Sequence, residues 1–192
     1  MKPGHQRLFV AIPLPAALRN RLAALSTELE ASTWDLSFPQ PDDQHLTLHF
    51  LGETPERVIE DLKRELSAVA HARRPFDLHC GGLGAFPNFE EPRVLWAGLQ
   101  DPAGNLKELH SDTLQIFNAY RLFKLSAEYV PHITVARVRT LSKAWDPRLL
   151  EGILGQWDVL GRFPVETIQL MRSQMNSDGL RYETVGEFKL GS

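Results

Sequence analysis

A stretch of this chain returns 87 residues further on, and each copy carries a histidine. HLTL begins at His45 and HITV at His132, both of the form His–apolar–Thr–apolar. At the same spacing Leu8 matches Leu95, Pro15 matches Pro102, Ala16 matches Ala103, Leu22 matches Leu109 and Leu29 matches Ile116. One repeat is too few for a solenoid, whose units close a core only by stacking in series. Two copies instead define a bilobal unit with a pseudo-twofold axis, which sets matched positions face to face across a cleft. The reading is a single domain over residues 1–192, with the repeat at about 7–52 and 93–139.

Local patterns fill in each copy. Residues 7–12 (RLFVAI) are apolar, β-prone and followed by proline, which predicts a buried strand. Leu18, Leu22, Leu25 and Leu29 then recur at helical spacing from Pro15 to Ala31. A polar loop at 39–43 leads to a strand at 45–51, a helix at 55–71 and a strand at 76–80. Gly81, Gly82, Gly84 and Pro87 read as a loop. The second copy gives a strand at 93–99, a helix at 102–120 and a strand at 132–138. Residues 141–161 show no clear period beyond a short helix around 147–154. Strands at 165–172 and 180–190, joined by the turn-rich MNSDG, predict a closing hairpin.

The period of two within HLTL and HITV assigns the faces. Leu46, Leu48, Ile133 and Val135 point into the cores. His45, Thr47, His132 and Thr134 point the other way, into a common space if the pseudo-twofold axis holds. Two opposed imidazoles suit displacement at phosphorus, which needs one proton removed from the nucleophile and one delivered to the leaving oxygen. Histidine does either near neutral pH, because its ordinary pKa is about 6.5. The threonine hydroxyls, two residues along on the same face, can donate to phosphoryl oxygens as charge develops. Such a site needs no metal or other cofactor.

Composition limits the partners. The net charge is −3, without the basic excess that a long duplex requires. If the substrate is a nucleic acid, the charge predicts a grip on an end or a short segment. Cys80 is the only cysteine, which excludes an internal disulfide, and its apolar surroundings predict a buried inert thiol. No apolar run is long enough to span a bilayer. The opening MKPGHQRLFVAIPLP is too soon broken by Pro13 and Pro15 for a signal peptide, so a cytoplasmic protein is expected; a monomer is expected as well.

The paired motifs resemble those of the 2H phosphoesterase superfamily, named for two His-x-Thr-x sequences. Within it the chain is most similar to the RNA 2′,3′-cyclic phosphodiesterase family, also called 2′-5′ RNA ligase or LigT-like. The stretches that carry the resemblance are RLFVAIPLP at 7–15, HLTLHFLGE at 45–53 and GGLGAFPNFEEPRVLWAGL at 81–99. PHITVARV at 131–138 and LMRSQMNSDGLRYE at 170–183 complete it. The resemblance implies an α+β, bilobal fold of mostly antiparallel sheets lining a central cleft, with helices outside and strands exchanged near the termini. It implies that His45 is the proton donor to the leaving ribose oxygen and His132 the proton acceptor that activates water. It implies opening of 2′,3′-cyclic phosphate ends of RNA or short oligonucleotides to 2′-phosphomonoesters, and joining or cleavage of 2′-5′ linkages by the same displacement. Arg137 falls where the family has a phosphate-contacting arginine. Strict alternation would put it on the opposite face from His132 and Thr134, so a bulge or strand end has to intervene.

His49 stands where the family commonly has lysine. Alternation puts it on the face of His45 and Thr47, roughly 13 Å from His45, as a rim residue. Phe9 and Trp96 occupy matched positions and offer faces for a nucleobase or for core packing. Tyr182 and Ser173 are candidates to line the cleft. His5 and His71 read as structural or solvent-exposed, His79 and His110 lack partners at metal-ligand spacing, and Glu90 and Glu91 read as a solvated loop. Two rival readings stand beside the main one. One is a metal-dependent phosphodiesterase using His45, His49 and His132 with a nearby aspartate; the other is a protein that binds RNA ends without catalysis.

Overall fold

The computed structural model of the chain describes residues 2–122, 129–141, 143–176 and 179–191. In chain order the elements are β1 (His5–Pro13), α1 (Ala16–Glu30), β2 (Asp35–Ser37), β3 (His45–Pro55), α2 (Ile59–His71), β4 (Phe76–Phe86) and β5 (Val94–Gln100). They continue with α3 (Asn105–Ala119), β6 (His132–Thr140), α4 (Pro147–Gly155), β7 (Val159–Val165), β8 (Thr167–Asn176) and β9 (Gly179–Lys189). The strands run antiparallel in the order β7-β4-β5-β6-β3-β1-β8-β9, and β2 adds to β6. The fold is α+β, with two halves, β7-β4-β5-β6 and β3-β1-β8-β9, meeting at β6 and β3.

The join between the halves is narrow. β3 and β6 share a single register pair, Leu46 opposite Ile133. These two residues are themselves partners in the sequence repeat, so the pseudo-twofold axis passes between them. Both are 0% exposed. Each helix packs its apolar stripe on the sheet: Leu18, Leu22, Leu25 and Leu29 of α1 are buried, as are Leu106, Leu109, Ile116 and Phe117 of α3. Strands are exchanged between the halves. β4 follows the first repeat in sequence yet pairs with β5, while β8 follows the second and pairs with β1.

Several expectations are corrected. β4 runs on to Phe86, through the glycines read as a loop. Those glycines serve close approach: a Cβ at Gly84 would lie 2.3 Å from the Trp96 ring, and one at Gly81 would lie 2.2 Å from the Asp158 carbonyl oxygen. β7 has no counterpart among the expected strands, because residues 159–165 have no alternation that separates them from the connection before them. α2 begins at Ile59 after a 3-10 turn, Glu56–Val58, and α3 at Asn105 after Gly104 takes a positive φ of 80°. The closing hairpin pairs Thr167 with Lys189 through Asn176 with Gly179; its turn, residues 177–178, lies outside the described residues.

The repeat also slips by two residues in its first strand. Phe9 pairs with Phe50, whereas Val94 pairs with Arg137, the repeat partner of Phe50. The structural counterpart of Phe9 is therefore Val94, and that of Trp96 is Ala11, contrary to the match of Phe9 with Trp96 expected from sequence.

The Leu46 contact gives a stability test. Leu46→Ala removes packing on both sides of the axis and should cost about 2–5 kcal/mol, the range for a fully buried leucine. Urea unfolding followed by circular dichroism measures it; a loss of under half a kcal/mol would show that the halves are held together elsewhere.

Candidate active site

Each histidine strand carries one extra residue at the same place. Val10 pairs with His49 and Ala11 with Thr47, so Leu48 is the unpaired residue of a bulge. Leu95 pairs with Ala136 and Trp96 with Thr134, so Val135 is its counterpart. A bulge resets which face the following side chains take. Before it, alternation holds: Leu46, Leu48, Ile133 and Val135 are buried in the core, and His45, Thr47, His132 and Thr134 are half-buried on the opposite face. After it, His49 and Ala136 turn into the core, while Phe50 and Arg137 emerge on the cleft side.

His45, Thr47, His132, Thr134 and Arg137 line one cavity of about 630 Å³ together with Phe50 and Tyr182. The bulge at Val135 supplies the reversal that places Arg137 there. The same reversal corrects the expectation for His49, which is only 2% exposed and is no rim residue. His49 Nε2 donates to the His110 carbonyl at 3.0 Å and lies 2.9 Å from the Thr113 hydroxyl, which itself donates to the Leu109 carbonyl. Its ring stacks on His110 at 4.2 Å, and His110 stacks on Tyr129 at 3.9 Å. The Tyr129 hydroxyl donates to the Thr47 carbonyl, bracing the strand of His45 from behind. The three-histidine metal set of the rival reading therefore does not converge, because His49 points away from His45 and His132.

The two cleft histidines are held alike. His45 Nδ1 lies 2.7 Å from the Asp43 carbonyl and His132 Nδ1 lies 2.8 Å from the Val130 carbonyl, again repeat partners. A carbonyl only accepts, so each Nδ1 carries the hydrogen and each Nε2 is left to exchange a proton. Rings fix the imidazole planes. Phe9 packs 4.9 Å from His45 and Tyr182 meets it edge-on at 5.2 Å; Phe86 meets His132 edge-on at 5.0 Å. Phe9 is 2% exposed and forms the floor beneath His45, so it has no face free for a base. Trp96 packs on Phe86 at 5.1 Å. The aromatic face open in the cleft is Phe50, 69% exposed, which strict alternation hides in the core. Tyr182 lines the cavity; Ser173 does not, and its hydroxyl donates to the Arg7 carbonyl.

Burial pushes the His45 pKa down, and the Arg137 guanidinium and His132 add to that; the bond to the Asp43 carbonyl opposes them. His45 is thus neutral at pH 7 in the free protein. The Asp43 carboxyl is raised from its ordinary value, chiefly by burial, against the pull of Arg181. Although the chain is net negative, Arg137, Arg139 and Arg181 all face this cavity. Cys80 is 2% exposed and its thiol is pushed up to about 12 by burial, an inert group. Among the described residues no cluster of three His, Cys, Asp or Glu is arranged to hold a metal ion, and no helix is long and apolar enough to cross a membrane.

Paired antiparallel halves that present one histidine each to a common cleft form the architecture of the 2H phosphoesterases. The chain belongs to the 2′-5′ RNA ligase superfamily, whose model matches residues 14–176. It is 33% identical to the RNA 2′,3′-cyclic phosphodiesterase of Aquifex aeolicus over 79% of this chain and 80% of that one. It is 32% identical to the enzyme of the same name from Thermus thermophilus over 96% of this chain and 90% of that one. Among solved structures, the Thermus thermophilus protein TT0787 superposes with a TM-score of 0.80 at 28% identity, covering 97% of this chain and 99% of that one. Escherichia coli LigT in its 3′-AMP complex superposes with a TM-score of 0.74 at 23% identity, covering 98% and 99%, and so shares the fold.

His49 makes stability depend on pH. Burial and the neighbouring His110 lower its pKa to about 4. The unfolded chain takes up this proton near pH 6.5, the folded protein only near 4. Stability at this site is therefore full above pH 6.5 and falls as the pH drops towards 4, by on the order of 3 kcal/mol. His49→Phe keeps an aromatic ring against His110 and removes the titrating group. Urea unfolding at pH 7.5 and 4.5 should show a smaller acid loss in the variant; equal losses would assign the effect to other groups.

Proposed function

We propose that this protein hydrolyses the 2′,3′-cyclic phosphate ends of RNA or short oligonucleotides to 2′-phosphomonoesters, with His45 as proton donor and His132 as proton acceptor. The observation that carries the reading is the pair of matched Nδ1 anchors, which leave two exchangeable Nε2 atoms on the lining of one cleft. The names of the relatives support the substrate. In the step, His132 Nε2 takes a proton from water as its oxygen attacks phosphorus. The bond from phosphorus to the 3′ oxygen breaks, and His45 delivers its proton to that oxygen. The phosphate stays on the 2′ oxygen. Thr47 and Thr134 hydroxyls and the Arg137 fork bind the non-bridging oxygens as their charge grows. A ribose hydroxyl in place of water gives 2′-5′ ligation by the same route. No cofactor is needed, and we place the protein in the cytoplasm as a monomer.

The division of roles follows from where the repeat is broken. Phe50, on the strand of His45, offers a face to the terminal nucleobase. A base seated there brings its own ribose oxygens to His45, the side on which the leaving group needs a proton. His45 is neutral in the free protein, but an anionic phosphate offsets the Arg137 charge and favours the imidazolium. Proton uptake by His45 is thus coupled to substrate binding.

Two measurements test this. His45→Ala and His132→Ala should each lower turnover of an RNA ending in 2′,3′-cyclic phosphate by about 10²–10⁴-fold, with chelator present and binding retained. Unchanged turnover in either variant refutes the mechanism, and product carrying a 3′-phosphate refutes the assigned leaving group. In pH profiles, the basic limb of kcat/KM should lie lower than that of kcat, because the first reports the free protein and the second the complex. Coincident limbs would mean that substrate does not bring the proton.

A further inference from the structure

A second cavity adjoins the cleft, and nothing in the two-histidine chemistry uses it. It has a volume of about 520 Å³ and lies between α1 and the segment around β2. The two spaces share Ser37, Phe38, Pro39, Gln40 and Arg139 as a common wall, so they adjoin each other. We propose that this second cavity holds the ribonucleotide immediately 5′ of the cyclic phosphate, which makes the substrate an oligonucleotide end and not a mononucleotide. The proposal rests on the function given above and deepens it.

Two observations converge. First, Arg139 follows Arg137 by two residues on β6 and, like it, faces the cleft. Two strand residues advance roughly 6.6 Å, a span comparable to one sugar–phosphate unit. If Arg137 holds the reacting phosphate, Arg139 sits one linkage upstream, at the mouth of the second cavity. Second, the cavity wall suits a nucleoside. Phe38 presents a partly buried ring, and the Glu30 carboxylate adds an acceptor for a ribose hydroxyl or a base amine. That carboxylate would repel phosphate, which sends the linkage to Arg139 and the base and sugar inward.

The test compares kcat/KM for a nucleoside 2′,3′-cyclic phosphate and for a dinucleotide ending in the same group. Wild-type protein should open the dinucleotide at least roughly tenfold more efficiently. Ala23→Trp fills the cavity from α1, away from both histidines. It should leave the mononucleotide within twofold and abolish the dinucleotide's advantage. Arg139→Gln, an exposed change that leaves the core alone, should also shrink the advantage. Equal efficiency towards both substrates in wild type, or an advantage that survives in both variants, overturns the proposal. Equilibrium binding of a dinucleotide carrying a terminal 2′-phosphate separates the two readings. If no cyclic phosphate is opened yet the dinucleotide binds more tightly than the mononucleotide and Ala23→Trp removes the difference, the cavity is a nucleotide site and the hydrolytic reading has failed. If hydrolysis proceeds and binding is indifferent to the second nucleotide, the hydrolytic reading stands and the cavity is not its subsite.

Discussion

The architecture turns on one antiparallel contact, Leu46 against Ile133. Two halves of similar design can approach each other in many ways, but only pairing at equivalent residues makes their central strands related by a twofold axis. Once that contact forms, every outward-facing residue of one motif acquires a counterpart across the cleft. His45 meets the region of His132, Thr47 that of Thr134, and the carbonyls of Asp43 and Val130 grip the two imidazoles in the same way. Symmetry of the backbone thus becomes symmetry of tautomer.

The surroundings of the two rings differ at the positions where the repeat has diverged. Phe50 and Arg137 emerge at the same point of their strands after matching bulges, one aromatic and one cationic. Burial first, and then the guanidinium across the cleft, lower the proton affinity of His45, while the phenyl ring lines the same cavity. Behind the strands, His49 and Ala136 diverge as well. The histidine is accommodated by the Thr113 hydroxyl and the His110 ring, and its low pKa keeps a neutral group in the core at neutral pH.

Much of this is legible in the sequence. The spacing of the two motifs indicates the pseudo-symmetry, leucine periodicity locates α1, and the alternation in HLTL and HITV assigns the faces of eight residues. What fails has a common cause. Binary patterns describe ideal strands, and a bulge adds a residue without a compositional mark. The conflict at Arg137, a charge expected on a core face, is the one visible sign; no such sign exists at His49 or Phe50, because either residue is tolerable on either face. β4 fails for a related reason. Glycine ordinarily signals a turn, but at Gly81 and Gly84 it makes room for the Asp158 carbonyl and the Trp96 ring, neighbours supplied by distant parts of the chain. Sequence periodicity carries no information about such tertiary neighbours.

The exchange of strands has a consequence for how the polypeptide can be made. The half that bears His45 lacks its outer strands, β8 and β9, until residues 167–189 are available. During synthesis from the N-terminus, β1 therefore waits with one edge unpaired while most of the chain is still to emerge from the ribosome. An open edge of this kind invites pairing with other chains, and contacts of such long sequence separation close slowly. The same wiring means that neither repeat is a self-sufficient module: cutting the gene between them would yield two fragments, each missing strands encoded in the other.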